Sequence, residues 1–186
     1  MIVMPFIFEV LFEKEKNMLN EKIEKALNNH IIKEADASNS YLAMASWCEV
    51  FGLKESTEFY YEQSIEEREH MLKLIRYVNE NDGTARIPAI NEPKNDFVSI
   101  AEIVDFSLEQ EMSVTRSIHE IVALCDQEND YATKNFIQWF VQEQQEEENL
   151  FRSLKDMIRM IGIEGVSLIM LDNEIAKLRN KSETQI

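Results

Sequence analysis

The stretch SIEEREHM, Ser64 to Met71, decides how this chain reads. Taken as helix, it turns Glu67 and His70 to the side that carries Tyr60, Leu74 and Tyr77, because residues three, four and seven apart share a face. A charge run on a solvated surface has no reason to place a carboxylate and an imidazole there. A metal site does. Glu-x-x-His sets an oxygen donor and a nitrogen donor one turn apart, within reach of one ion.

Working outward, apolar residues recur at helical spacing through most of the 186 residues. The pattern predicts a helix from about Asn20 to Val50, stopped by Gly52, and a second from about Ser56 to Asn81. A third spans roughly Val98 to Asp126, and a fourth Tyr131 to Ile161, closed by Gly162. A short fifth runs from about Val166 to Arg179. Four Gly and three Pro are too few for a turn-rich β fold. The first two helices, and the third and fourth, are joined by a few residues, so each pair is an antiparallel hairpin. Between the hairpins lies DGTARIPAINEPKND, Asp82 to Asp96. Extended at ~3.3 Å per residue it covers about 50 Å, enough to travel the length of a helix. The expectation is an all-α, up-down-down-up four-helix bundle with a long crossover and a short fifth helix.

Each long helix has an inward stripe, and each stripe is broken by a carboxylate. Glu34 interrupts Leu27, Ile31, Ser38 and Tyr41; Glu67 with His70 interrupts Tyr60, Gln63 and Leu74. Glu111 interrupts Leu108, Thr115 and Ile118; Gln144 with Glu147 interrupts Phe140 and Phe151. Counted from the hairpin turns, Glu34 and Glu67 sit at one height, and so do Glu111 and Gln144. Any one of these alone is more often an edge residue reaching water or a satisfied core histidine. Four at one depth would repel one another unless cations sat between them. Carboxylates bridge ions and tolerate a change from Fe(II) to Fe(III), and a single imidazole suits iron. His30 and His119 read as lying off this layer. Tyr41, two turns from Glu34 on the same face, can donate a hydrogen bond or an electron to it; Trp139 reads as a core aromatic.

The formal net charge of −16, from 35 acidic and 19 basic residues, argues against nucleic acid as a partner. Cys48 and Cys125 lie in no CxxC, which points to free thiols in a reducing compartment, and the expected location is cytoplasmic. The apolar start MIVMPFIFEVLF lacks a basic leader, contains Pro5 and Glu9, and is too short to span a bilayer. It reads as an extension, with no membrane association expected. The domain division is then 1–17 as extension, 18–180 as the helical domain and 181–186 as a polar tail.

With those residues in place, the chain from Met18 to about Arg179 resembles a bacterial non-haem ferritin of the ferritin-like di-iron family. SYLAMASWC, EEREHM, EQEM and NFIQWFVQEQQEEENLF carry the likeness, in that order. The resemblance implies a dinuclear ferroxidase centre. Glu34, Glu67 and His70 would hold the first iron, with Glu67 bridging, and Glu111 and Glu147 the second. Gln144 would stand beside them, and Tyr41 would match a tyrosine implicated in electron donation. Glu66, Glu143 and Glu146 would form a third iron site, one helical position off the core stripe. Relatives of the bacterioferritin and rubrerythrin kind carry a second ExxH on the fourth helix. Here that run is Gln144-Gln145-Glu146-Glu147, with no histidine, and Arg68 stands where bacterioferritins place a haem-ligating methionine, so no haem is expected. The resemblance further implies a homo-oligomeric cage of 24 subunits that oxidises Fe(II) with O2 and stores a ferric mineral. Asp126, Glu128 and Asp130, between the third and fourth helices, are a candidate pore lining. The competing readings are a substrate-oxidising di-iron enzyme, which usually has two histidines at its metals, and a helical interaction module, which has no reason to bury carboxylates.

Overall fold

In the computed structural model, residues 19–182 are described, with side chains up to Leu178. The expected extension at 1–17 and the end of the tail lie outside the described residues. The first helix, α1 (Glu21–Val50), starts where Asn20 accepts a hydrogen bond from the Lys22 amide at 2.8 Å, and Glu21 and Glu24 favour its positive end. It stops at Phe51 and Gly52, the glycine taking φ +75°, a backbone shape that side chains resist. The chain reverses into α2 (Lys54–Glu80), which begins two residues ahead of the sequence expectation.

The cause of that early start lies far along the chain. Leu53, at the N-cap of α2, has no capping side chain. Asp172 supplies one instead: it accepts from the Ser56 amide at 2.8 Å, the Ser56 hydroxyl at 2.7 Å and the Glu55 amide at 3.2 Å. Asp172 belongs to α5 (Val166–Ser182), which packs on α2 and α4 (Tyr131–Ile161) and runs a turn longer than the sequence suggests.

α3 (Ile100–Glu128) opens with a reciprocal cap. The Glu102 amide donates to Ser99 Oγ at 3.3 Å while the Glu102 carboxylate accepts from the Val98 amide at 2.7 Å. Asn129, in the left-handed region at φ +57°, and Asp130, which accepts from the Thr133 amide at 2.8 Å, turn α3 into α4.

α1 packs on α2, α3 on α4, and α1 on α3, the arrangement of the up-down-down-up bundle. The crossover has no regular structure between Gly83 and Asp96 and is strapped to α1 by side chains. Asn28 accepts from the Arg86 amide at 2.6 Å and donates to the Thr84 carbonyl at 3.1 Å; Asn39 donates to the Asn91 carbonyl at 3.1 Å.

Among the described residues the apolar interior forms two clusters. One holds Tyr41, Met44, Cys48, Phe59, Tyr60, Ile103, Phe151, Leu171 and Ile175, at the end where α5 packs. The other holds Ile23, Leu27, Ile31, Leu74, Val78, Ile118, Ile137 and Phe140. Burial of this kind contributes ~25 cal/mol per Å² of apolar surface and drives the helices together. Both cysteines are free and buried, and burial pushes the Cys48 thiol up to about 12 and that of Cys125 to about 11. Among the described residues no helix is long and apolar enough to cross a membrane.

Candidate metal centre

Between the two apolar clusters the helices deliver their polar residues. Glu34, Glu67, His70, Glu111, Gln144 and Glu147 are all buried, none more than 7% exposed. Carboxylates are almost never buried to this extent unless paired, so their company requires an explanation.

Donor atoms of Glu34, Glu67 and His70 lie within 4.8 Å of one another. Helical spacing accounts for part of this, since Glu67 Oε2 sits 3.4 Å from His70 Nδ1 one turn away. Glu111 faces them from α3. It accepts from the Tyr41 hydroxyl and, at 3.0 Å, from the Gln144 side-chain amide. Glu147 completes the layer from α4. Both oxygens of Glu34, together with Oε2 of Glu67 and Oε2 of Glu147, are buried without a hydrogen-bond partner. Acceptor atoms left so are costly, and cations are the species that would satisfy them.

The electrostatics agree. Burial, then the charges of Glu111 and Glu34, raise Glu67 well above the ordinary carboxylate range. Burial, then Glu111 and Glu66, do the same to Glu147. Glu111 is pushed up to about 7 by burial, against the hydrogen bonds from Tyr41 and Gln144 that favour its ionised form. Glu34 goes the other way. Burial opposes its charge too, but His30, with Glu67 and His70 adding to it, outweighs that, and its carboxyl is lowered. Tyr41 is raised strongly by burial and by the charges of Glu111, Glu67 and Glu147, which keeps it a protonated donor. Raised carboxyls of this kind are groups from which a bound cation would displace the proton.

A second cluster adjoins the first. Donor atoms of Glu66, His70 and Glu143 lie within 4.8 Å, with Glu66 and Glu143 half-buried. His70 belongs to both groups. Glu146, expected alongside them, is exposed and lies outside this trio, although its charge, behind burial and the charges of Glu143 and Glu69, helps to raise Glu66 against the lowering effect of His70.

Three buried or half-buried residues enter the layer without having been assigned a part from sequence. His30 is fully buried, one turn before Glu34, with Nε2 3.0 Å from Glu34 Oε1 and Nδ1 3.0 Å from Ser117 Oγ. The i, i+4 spacing to Glu34 was the available signal. Gln63 donates to Glu66 at 3.2 Å and favours the ionised form of Glu147. Thr115 shares its hydroxyl proton between Gln144 Oε1 at 3.0 Å and Glu148 Oε1 at 2.7 Å. His119 is exposed and stays apart. Trp139 packs edge-on against His70 and lies under the Lys73 ammonium, 3.1 Å from the ring centroid. Of the candidate pore residues, Asp126 is paired to Lys134 at 2.5 Å, Glu128 to Lys22 at 2.5 Å, and Asp130 is spent on capping α4.

The chain as a whole has known relatives. A family model described as a ferritin-like domain matches residues 24–161. A "Probable bacterial non-heme ferritin-like protein" of Haemophilus influenzae is 37% identical over 165 residues, covering 89% of this chain and all of that one. A "Bacterial non-heme ferritin" of Campylobacter jejuni is 38% identical over 161 residues, covering 87% and 96%. Among solved structures, an open pore ferritin from Archaeoglobus fulgidus superimposes with a TM-score of 0.83 at 36% identity, covering 86% of this chain and 98% of that one. With a family model matching residues 24–161 and relatives 37–38% identical over most of both chains, the chain belongs to the ferritin family.

Proposed function

We propose that this chain is the subunit of a cytoplasmic iron-storage cage of 24 copies, and that its buried polar layer is a dinuclear ferroxidase centre. Iron is the substrate. Two Fe(II) ions enter the layer, each gives one electron to dioxygen, and the Fe(III) formed moves on to a ferric mineral inside the cage. The observation that carries this reading is the set of orphaned buried carboxylate oxygens on Glu34, Glu67 and Glu147, three helices converging on one depth.

The residues act as follows. Glu34 and His70 bind the first ion and Glu67 bridges to the second, which Glu111 and Glu147 hold. Anionic oxygen ligands favour the higher oxidation state, so the layer lowers the cost of losing the electron. Gln144 holds Glu111 in place, and Tyr41 holds its other oxygen and is placed to give an electron. Glu66, Glu143 and Glu146 take a third ion on its way inward; the closeness of Glu66, His70 and Glu143 supports that role.

Assembly is supported by the apolar side chains that a single chain leaves in water. Phe51, Ile65, Ile87, Val98, Met160 and Val166 are all exposed, a burden that burial between copies would relieve. Two measurements test the proposal. Aerobic Fe(II) addition to wild type and Glu67→Ala is expected to give rapid Fe(III) formation that the substitution slows strongly; equal rates would remove the layer as the oxidation site. Gel filtration is expected to give a species of several hundred kilodaltons, and a monomer or dimer would defeat the storage reading.

A further inference from the structure

Among the described residues, His30 is a fully buried titratable side chain in the layer to which the ferroxidase reading gives no part. Its surroundings are specific. Nδ1 is 3.0 Å from Ser117 Oγ on α3, and Nε2 is 3.0 Å from Glu34 Oε1. The second contact is close but off the line of a hydrogen bond, so Nε2 and Oε1 are both left without a partner inside the protein. Phe140 packs edge-on against both imidazoles, at 6.1 Å from the His30 ring and 5.9 Å from that of His70.

Two adjacent, buried, unsatisfied atoms form an unfinished hydrogen bond. Completing it requires only a turn of the Glu34 carboxylate about its terminal torsion, which is broad and soft. Hydrogen bonds of this kind are often misaligned in a free protein and tighten when the ligand arrives. An ionised Glu34 only accepts, so Nε2 must be its donor; in the neutral imidazole Nδ1 is then left to accept from the Ser117 hydroxyl.

Resting on the ferroxidase reading, we infer that His30 is a positioning residue, held by Ser117, that takes Glu34 Oε1 as a hydrogen-bond acceptor and leaves Oε2 as the single oxygen offered to the first iron. A ligand fixed by a partner behind it gives an ion less freedom and a stronger base to bind. His30 does not itself hold the ion. It falls outside the trio of donor atoms formed by Glu34, Glu67 and His70, and its outer nitrogen is turned to Ser117.

The test uses the assembled protein, with anaerobic Co(II) titration as the affinity readout. His30→Leu is expected to weaken binding about 10- to 100-fold, the usual effect of removing a partner behind a ligand. His30→Gln, whose side-chain amide can donate to Glu34 and accept from Ser117, is expected to recover most of the loss. Ser117→Ala is expected to fall between them, which keeps the test available if the leucine variant does not fold. Pulsed EPR of bound vanadyl counts coordinated imidazoles, and one is expected in both wild type and His30→Gln. Two in the wild type would make His30 a ligand and overturn the positioning role, as would wild-type Co(II) affinity in His30→Leu or in Ser117→Ala. Glu34→Ala serves as the control. If it abolishes binding while His30→Leu keeps wild-type affinity, the inference alone fails; if Glu34→Ala binds normally, the ferroxidase reading fails with it.

Discussion

Gln144 donates to Glu111 Oε2 at 3.0 Å, while Glu111 Oε1 accepts from Tyr41, so both oxygens of one buried carboxylate are held by donors from two different helices. Replacing Gln144 by Glu would set an acceptor against an acceptor at the same place. The metal-free Gln144→Glu protein is expected to lose about 1–3 kcal/mol of stability at pH 8, the usual cost of leaving a buried polar group without its partner. Urea unfolding measures it, and an unchanged midpoint would show that the amide adds nothing.

The raised carboxyls give the metal-free protein a definite pH dependence. Glu111 goes from 4.5 to about 7, and Glu67 and Glu147 are also raised. A folded state that binds a proton more tightly than the unfolded chain is favoured below the unfolded pKa and loses that advantage as pH rises through the folded one. Stability is therefore expected to fall between about pH 4.5 and pH 7. Glu34, which is lowered, acts below that window and does not cancel the trend. Urea midpoints from pH 5 to pH 8 check this, and Glu111→Gln is expected to flatten part of the slope. A midpoint that rises steadily over the range would contradict the burial of these groups in protonated form.

Removing the trans cap of α2 separates stability from chemistry. Asp172→Ala leaves the Ser56 and Glu55 amides without their acceptor, at an expected cost of about 0.5–2 kcal/mol. The melting temperature should drop, while Co(II) binding at the polar layer stays at the wild-type level. A loss of binding equal to that of Glu34→Ala would tie α5 to the site directly.

Tyr41→Phe keeps the ring that stacks on Tyr60 and Phe151 at 5.9 Å but removes the donor to Glu111. Anaerobic Fe(II) binding is expected to persist. Any tyrosyl EPR signal trapped just after oxygen addition is expected to vanish; a signal of wild-type size would place the radical on another tyrosine.

The helices and the depth of the polar layer were legible because both follow from the 3.6-residue period, and a carboxylate in an apolar stripe stands out against it. What escaped depended on contacts between distant segments. Nothing near Leu53 announces a cap that arrives from Asp172, 116 residues beyond Ser56. His30 was set aside by its height, one turn from Glu34, yet a rise of about 5.4 Å is within reach of an imidazole. The outward position of Glu146 likewise depends on the packing of α4 and not on its spacing.

The two apolar clusters meet across a band that holds little oil. Each end of the bundle can stay dry on its own, whereas the middle crowds acidic groups whose buried oxygens lack partners and is the weak course in the masonry. Any cation that the layer accepts would brace the subunit at that same course, because what binds only the folded state adds to its stability.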